Sequence, residues 1–167
     1  MGEPQPKDGM DIAALYKRYG PLVLRRGRRF LGDSEAEEIV HEVFLRAIEH
    51  AHEFRGEASP ATWLFRVTTH LCLNRLRDRR RQGELLAEHG PKVWAQADSG
   101  KGPEARALLN QLWRSLSEEL VMIGIYYYID GLTTAEIGRM LGVSDRTIAN
   151  RLKEIAKCAE GGVGDAA

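Results

Sequence analysis

The sequence predicts an all-α protein of two small helical domains joined by a flexible linker, with a helix-turn-helix in the second domain. Apolar residues recur at three- and four-residue spacing along most of the 167-residue chain, and no segment shows the strict alternation of a β-strand. Between residues 82 and 103, glycine, proline and polar residues replace this pattern. We therefore expect a first domain over residues 10–81, a linker over 82–103 and a second domain over 104–158.

The first helix is predicted over residues 11–31. Pro21 interrupts its pattern, and because proline has no backbone N–H we expect a kink or a break near this residue. Gly32 should end the helix, and the side chain of Asp33 or Ser34 should cap the next one.

The second and third helices complete the first domain. The second is predicted over 35–52 and begins with three glutamates that complement the helix dipole. The third is predicted over 61–81, after Ser59 as the N-cap and Pro60 at the first helical position. The apolar residues expected to face the core are Ile39, Val40, Val43, Phe44, Ala47 and Ile48 in the second helix, and Trp63, Leu64, Val67 and Leu71 in the third.

Four shorter helices are predicted in the second domain, over 104–116, 118–130, 133–141 and 145–157. The last two have the spacing of a helix-turn-helix: Gly138 is small where the helices would cross, Gly142 lies in the turn, and Ser144 caps the second helix. The core residues expected here are Ile137, Leu141, Val143, Ile148 and Leu152. The exposed face of the second helix would offer side chains that suit a major groove, at Arg146, Thr147, Asn150, Arg151 and Lys153.

The predicted helix 118–130 carries apolar side chains on nearly every face. A helix that is apolar all round usually has two packing partners. We therefore expect a protein-binding surface that includes Val121 and Tyr127. Replacing both residues with glutamate should then weaken complex formation without unfolding the domain.

Charged side chains balance over the whole chain, with 24 basic and 24 acidic residues, but they lie in blocks. Residues 12–31 carry six basic and no acidic side chains, whereas residues 32–54 carry seven acidic side chains and one arginine. Residues 55–81 are again mainly basic. Blocks of opposite sign indicate separate surfaces for separate partners, and the basic ones would suit phosphate.

Other classes of function find little support in the sequence. Cys72 and Cys158 are the only cysteines, so we expect no disulfide framework or zinc site, and a reducing cytoplasm is the natural setting. No apolar stretch approaches the roughly 20 residues that span a bilayer, so we expect no membrane insertion. Glu38 and His41 have the Glu-x-x-His spacing of di-iron bundles, but those proteins need a second copy of the motif, which is missing. We therefore expect no metal, no cofactor and no enzymatic activity.

Both halves of the chain, in this order, resemble the extracytoplasmic-function (ECF) sigma factors, the smallest sigma subunits of bacterial RNA polymerase. The resemblance covers about 11–80 and 104–157. It is carried by residues 15–19, 37–47, 54–57, 62–67 and 71–76 in the first half, and by residues 116–119, 130–133 and the helix-turn-helix in the second. It implies core RNA polymerase and promoter DNA as partners, and an anti-sigma factor as a further candidate.

The resemblance also implies roles for individual residues. The acidic helix would bind a coiled coil on the polymerase clamp through side chains expected to be exposed in part: Glu38, Glu42, Val43, Phe44 and Arg46. The stretch 55–81 would separate the promoter strands and hold a flipped base of the −10 element, through Arg55, Arg66, His70, Asn74, Arg75 and Arg77. The helix after Ser144 would read the −35 element in duplex DNA.

Two residues depart from the family pattern and leave base preference open. His70 stands where relatives often carry asparagine, and Asp145 opens the recognition helix where a basic or neutral residue is common. A stand-alone helix-turn-helix regulator, with residues 1–80 as a dimerisation or sensing domain, is the alternative interpretation. It assigns no role to the acidic helix or to the arginine-rich helix.

Overall fold

A computed structural model describes residues 11–50, 59–82 and 115–162 of the chain. The predicted linker except for Gln82, most of the predicted helix 104–116, and Arg55 lie outside these residues. The elements in chain order are α1 (Ile12–Leu31), α2 (Asp33–Glu49), α3 (Pro60–Arg81), α4 (Glu118–Gly124), a π-helical turn (Ile125–Ile129), α5 (Thr134–Leu141) and α6 (Asp145–Gly162). The all-α prediction is confirmed, since the described residues contain helices and no strand.

The chain divides into two compact units, and the division falls within α3, between Cys72 and Leu73. The predicted domain limits at 10–81 and 104–158 stay predictions, because residues 83–114, which include nearly all of the predicted linker, lie outside the described ranges.

In the first unit, α1 is capped by Asp11, whose side chain accepts a 3.0 Å hydrogen bond from the backbone N–H of Ala14. The helix continues through Pro21 without the predicted break. One missing hydrogen bond does not end it, because α1 packs along α2 and tertiary packing supplies most of a helix's stability.

Gly32 ends α1 as predicted, with its backbone N–H donating to the carbonyl of Arg28. The prediction that Asp33 or Ser34 caps α2 with its side chain is wrong. Gly32 also serves as the N-cap of α2, so Asp33 is already helical, and its carboxylate instead pairs with Arg28 at 2.9 Å. At this position the negative charge still complements the N-terminal end of the helix dipole.

The start of α3 is as predicted, since the Ser59 hydroxyl accepts from the backbone N–H of Thr62 at 3.2 Å. Its buried side differs from the predicted stripe, because Trp63 and Val67 are only half-buried. Two threonines are fully buried instead. Burial is compatible with their hydroxyl groups, which donate back to main-chain carbonyls one turn earlier; the residues are Thr68 and Thr69.

In the second unit, the predicted helix 118–130 is α-helical only as far as Gly124. It then widens into the π-helical turn, at whose end the backbone N–H of Asp130 donates to the carbonyl of Ile125 at 2.9 Å. Val121 is 1% exposed, so the expectation that it belongs to a protein-binding surface is wrong. The packing partners of this apolar segment lie in the chain itself: α4 packs against α6, and the π-helical turn contacts α5.

The helix-turn-helix is present in α5 and α6. Gly142 adopts φ 72° in the turn as predicted, and the Ser144 hydroxyl caps α6 by accepting from the backbone N–H of Thr147 at 3.1 Å. A Cβ atom at Gly138 would lie 2.7 Å from the carbonyl oxygen of Val143, so only glycine allows this close approach.

The core of the motif differs from the prediction at Val143, which is 42% exposed, and at Leu141 and Leu152, which are only half-buried. The backbone of Val143 makes the contact with α5, since its N–H donates to the carbonyl of Gly138 at 2.9 Å, and its side chain therefore turns outward. The fully buried residues that hold α5 and α6 are Ile137, Ile148 and Ile155.

Candidate nucleic-acid and protein interfaces

The acidic helix α2 presents a mixed polar and apolar surface. Glu38 is exposed, and Glu42 is half-buried and accepts a hydrogen bond from Arg46 at 3.3 Å, one turn further on. The partial exposure of Val43 and Phe44 that the resemblance implies is wrong, and their place on the core face, predicted from periodicity, is confirmed, because both side chains are buried in the first unit. They lie on the side of α2 that packs towards the core.

Two other apolar residues of α2 are exposed instead. Leu45 is 59% exposed and Ile48 is 54% exposed. They are one helical turn apart and therefore lie on the same face. The sequence had placed Ile48 in the core and had assigned no role to Leu45. An exposed apolar pair beside carboxylates is an arrangement typical of protein-binding surfaces.

A cavity of about 400 Å³ lies between α1 and α2 in the first unit. Its rim includes Tyr16, which is 46% exposed and whose ring centre is 4.9 Å from that of Phe44. Charged and titratable groups from both helices border the cavity. The remaining lining residues are Lys17, Gly20, Pro21, Leu24, Glu37, Val40 and His41.

The predicted −10 residues that the structure describes lie along α3. Arg66, His70 and Asn74 follow at four-residue steps and so share one face of the helix, where all three are half-buried. Arg75 is also half-buried. These spacings bring together the cationic and hydrogen-bonding groups that the sequence assigned to this helix.

Arg77 has a different environment. Its guanidinium lies 2.7 Å from a carboxylate oxygen of Glu118, and both side chains are largely buried. A side chain predicted to contact DNA is thus held by an acidic residue of the second unit itself. Sequence reasoning could not foresee this pair, because 41 positions separate its members.

Helix α6 exposes three of the five predicted −35 residues, Arg146, Asn150 and Lys153. Their spacing of four and three residues places them on one face. The other two interact within the chain. Thr147 shares a 2.9 Å hydroxyl–hydroxyl hydrogen bond with Ser144.

Arg151 pairs with Glu154 at 3.1 Å and with Glu119 at 3.4 Å. The hydrogen bond to Glu154, followed by the charge of Glu119, raises the pKa of the Arg151 guanidinium above its ordinary value. This arginine is therefore engaged with two carboxylates in the free chain.

Asp145 at the start of α6 accepts a 2.8 Å hydrogen bond from the backbone N–H of Arg146. Its carboxylate thus satisfies a helix N-terminus, which explains why an acidic residue is tolerated in a basic neighbourhood.

Among the described residues, no group of three or more His, Cys, Asp or Glu side chains is arranged to hold a metal ion. None of the helices in the described ranges combines the length and the apolarity needed to cross a membrane.

The described residues combine a helix-turn-helix, an arginine-rich helix and an acidic helix with exposed apolar residues. This combination is typical of a DNA-binding protein that also binds a protein partner. Comparison with known proteins identifies the class. The family Sigma-70 region 2 matches residues 15–82. Over most of its length the chain is similar to ECF RNA polymerase sigma factors.

The similarity to individual relatives extends over most of the chain. The ECF RNA polymerase sigma factor SigW of Bacillus subtilis is 28% identical over 155 residues, which cover 85% of this chain and 81% of the relative. The ECF RNA polymerase sigma factor SigL of Mycobacterium tuberculosis is 29% identical over 145 residues, covering 84% of this chain and 82% of the relative. A solved structure, the sigma factor RpoE in complex with the anti-sigma factor NepR from Bartonella quintana, aligns with 94% of this chain and 99% of that chain at 16% identity and a TM-score of 0.49.

Proposed function

We propose that this chain is an alternative sigma factor that binds core RNA polymerase through α2, opens promoter DNA with α3 and reads duplex DNA with α6. The match of the chain to ECF sigma factors over more than four-fifths of its length carries this proposal. Core polymerase and promoter DNA are its partners, and an anti-sigma factor is a further candidate. We place its action in the cytoplasm, where polymerase and promoters are.

The polymerase-binding surface we propose consists of the acidic residues Glu38 and Glu42 together with the exposed pair Leu45 and Ile48 (the docking face). Carboxylates at the edge guide association with a basic partner helix, and the apolar pair supplies area that docking removes from water. Arg46 restrains Glu42 through their ion pair. Val43 and Phe44 contribute to docking indirectly, because they are buried and hold α2 against the core of the first unit.

Promoter opening is assigned to the α3 face formed by Arg66, His70 and Asn74, with Arg75 beside it. Opening DNA requires cations along the backbone of a separated strand and polar groups that receive an unstacked base. Arginine supplies the first, and the imidazole of His70 and the amide of Asn74, one turn apart, supply the second. Arg55 belongs to the same proposal and lies outside the described residues.

Duplex reading is assigned to Arg146, Asn150 and Lys153 of α6. An exposed stripe at the N-terminal half of a recognition helix enters the major groove, where arginine and asparagine pair with the edges of guanine and adenine. Thr147 and Arg151 complete the proposed surface after they exchange their internal partners for DNA. Binding of the free chain to DNA should be weak, because the contacts to bases are few and the net charge is zero. It should fall steeply with salt, because the attraction that remains is mainly between basic side chains and phosphates.

The proposal is tested by reconstitution. Core RNA polymerase is incubated with the full chain and a randomised promoter library, and the initiated transcripts are sequenced. We expect enrichment of two conserved DNA elements, and no enrichment with either component alone. Tight, sequence-specific duplex binding by the free chain, without initiation when polymerase is added, would instead support the stand-alone regulator.

The Leu45→Ala, Ile48→Ala double variant serves as the matched test of the docking face in the same assay. This variant should lower the rate of initiation at limiting concentrations of the chain. The rate should recover at saturating concentrations, because only the affinity for polymerase is reduced.

A further inference from the structure

Arg26 is a buried cation in the first unit. It belongs to the basic run of α1, yet it is only 4% exposed, whereas the neighbouring Arg25 and Arg28 face solvent. Arginine is rarely buried unless its guanidinium is specifically held, because removing the charge from water is costly. The contacts of Arg26 therefore need an explanation beyond packing.

Two of these contacts reach α3. The guanidinium carbon lies 3.6 Å from the ring centre of Phe65, which is a close cation–π stack. The Nε atom donates a 2.8 Å hydrogen bond to the hydroxyl of Thr69. A second ring, that of Phe30 on α1 itself, lies 5.3 Å from the same carbon.

The hydroxyl of Thr69 allows only one arrangement of these groups. It has one proton, which it donates to the carbonyl of Phe65 at 2.8 Å. It can therefore meet the Nε–H of Arg26 only as an acceptor. A planar cation stacked on one residue and hydrogen-bonded to another, one turn further along α3, fixes the rotation of that helix about its axis more tightly than apolar packing would.

The rotation of α3 about its axis determines where the side chains next to Phe65 and Thr69 point. Phe65 and Thr69 are each followed directly by one of the residues assigned to promoter DNA, Arg66 and His70. Side chains lie roughly 5–6 Å from a helix axis, so a 20° rotation would move them by about 2 Å. A shift of that size exceeds the tolerance of about 0.5 Å within which a binding group must be held.

We propose that Arg26 is a positioning residue for promoter opening. Its guanidinium clamps Phe65 and Thr69 so that the DNA-binding face of α3 is presented at a fixed angle. This inference rests on the proposed function of α3 in holding a base of the −10 element.

The experiment measures base discrimination by the reconstituted polymerase holoenzyme. Initiation rates are compared between a promoter selected with the wild-type chain and derivatives that carry single-base substitutions in its −10 element. Arg26→Lys keeps the charge but loses the planar stack and the Nε donor, and Thr69→Val removes the acceptor at nearly constant volume. We expect each variant to lower the ratio of correct to substituted promoter by about fivefold to tenfold, because one base contact is worth about that factor. The double variant should be no worse than Arg26→Lys alone, because Arg26→Lys already removes the hydrogen bond that Thr69→Val breaks.

Val23→Ala is the matched control. Val23 is 1% exposed and lies one turn before Arg26 on α1, so its truncation weakens the same core without touching the clamp. It should lower the midpoint of thermal unfolding and leave the discrimination ratio unchanged. If Arg26→Lys does not fold, the ratio of correct to substituted promoter is measured with the nearly isosteric Thr69→Val variant instead.

A uniform loss of rate on all promoters, with the ratio unchanged in both Arg26→Lys and Thr69→Val, would overturn the positioning role and leave a merely structural one. Failure of the proposed function looks different, since the wild-type chain itself would then give no promoter-specific initiation.

Discussion

The exposed pair on the docking face allows a quantitative prediction. Full burial of a leucine or isoleucine side chain contributes about 2 kcal/mol. In the free chain 59% of Leu45 and 54% of Ile48 remain exposed, so docking can bury slightly more than half of each. The two side chains together can therefore contribute about 2 kcal/mol to the binding of polymerase. Replacing both with alanine should weaken binding by up to about 30-fold.

The assay is a titration of core RNA polymerase against the fluorescently labelled chain, followed by anisotropy. Val143→Ala is the control, because Val143 is an exposed apolar residue outside α2. Val43→Ala is the contrasting variant: its side chain is buried, so it should lower the midpoint of thermal unfolding while the folded fraction still binds polymerase. A change below about threefold for the double variant, or an equal loss for Val143→Ala, would refute the assignment of the docking face.

Three further predictions concern the second unit. Val121→Glu places a carboxylate where the side chain is 1% exposed, and it should destabilise the unit by several kcal/mol, visible as loss of cooperative thermal unfolding. Glu118→Gln releases Arg77 from its ion pair, so the affinity of the free chain for DNA should rise, by less than about threefold, at low salt. At high salt, screening should leave no measurable rise. A lower affinity would contradict the proposed contact of Arg77 with DNA. The backbone N–H of Thr133 donates to Glu136 and lowers the pKa of that carboxyl below its model-peptide value of 4.5. Glu136 therefore stabilises the fold at pH values above 4.5 and loses this contribution as pH falls through its lowered pKa, so a Glu136→Gln variant should show a flatter dependence of unfolding on acid pH.

The features that the sequence predicts well are those determined locally. Gly142 in the turn, Ser144 as a cap and Ser59 before Pro60 each depend on a few neighbouring residues, and the structure places each in the expected role. The class of fold follows from the same periodicity.

Burial was predicted less well, because it depends on the rest of the chain. Apolar periodicity placed Phe44 correctly on the core face of α2, but it did not set the edge of that face, so Ile48 was also expected in the core. The partial exposure of Phe44 was implied by the family resemblance alone. The environment of Arg26 was beyond sequence reasoning for the same reason: an arginine in a basic run is normally solvated, and its partner Thr69 lies 43 residues away. Val121 was misplaced because the second packing partner of α4 was sought outside the chain rather than in α6.

Strand separation tests the central claim most directly. Permanganate oxidises unstacked thymines, so its reactivity across a selected promoter reports where the strands are open. We predict reactive thymines in and just downstream of the −10 element when the chain and core polymerase are both present, and none with either alone. Promoter DNA that stays unreactive with the complete complex, although both proteins are bound to it, would contradict the account.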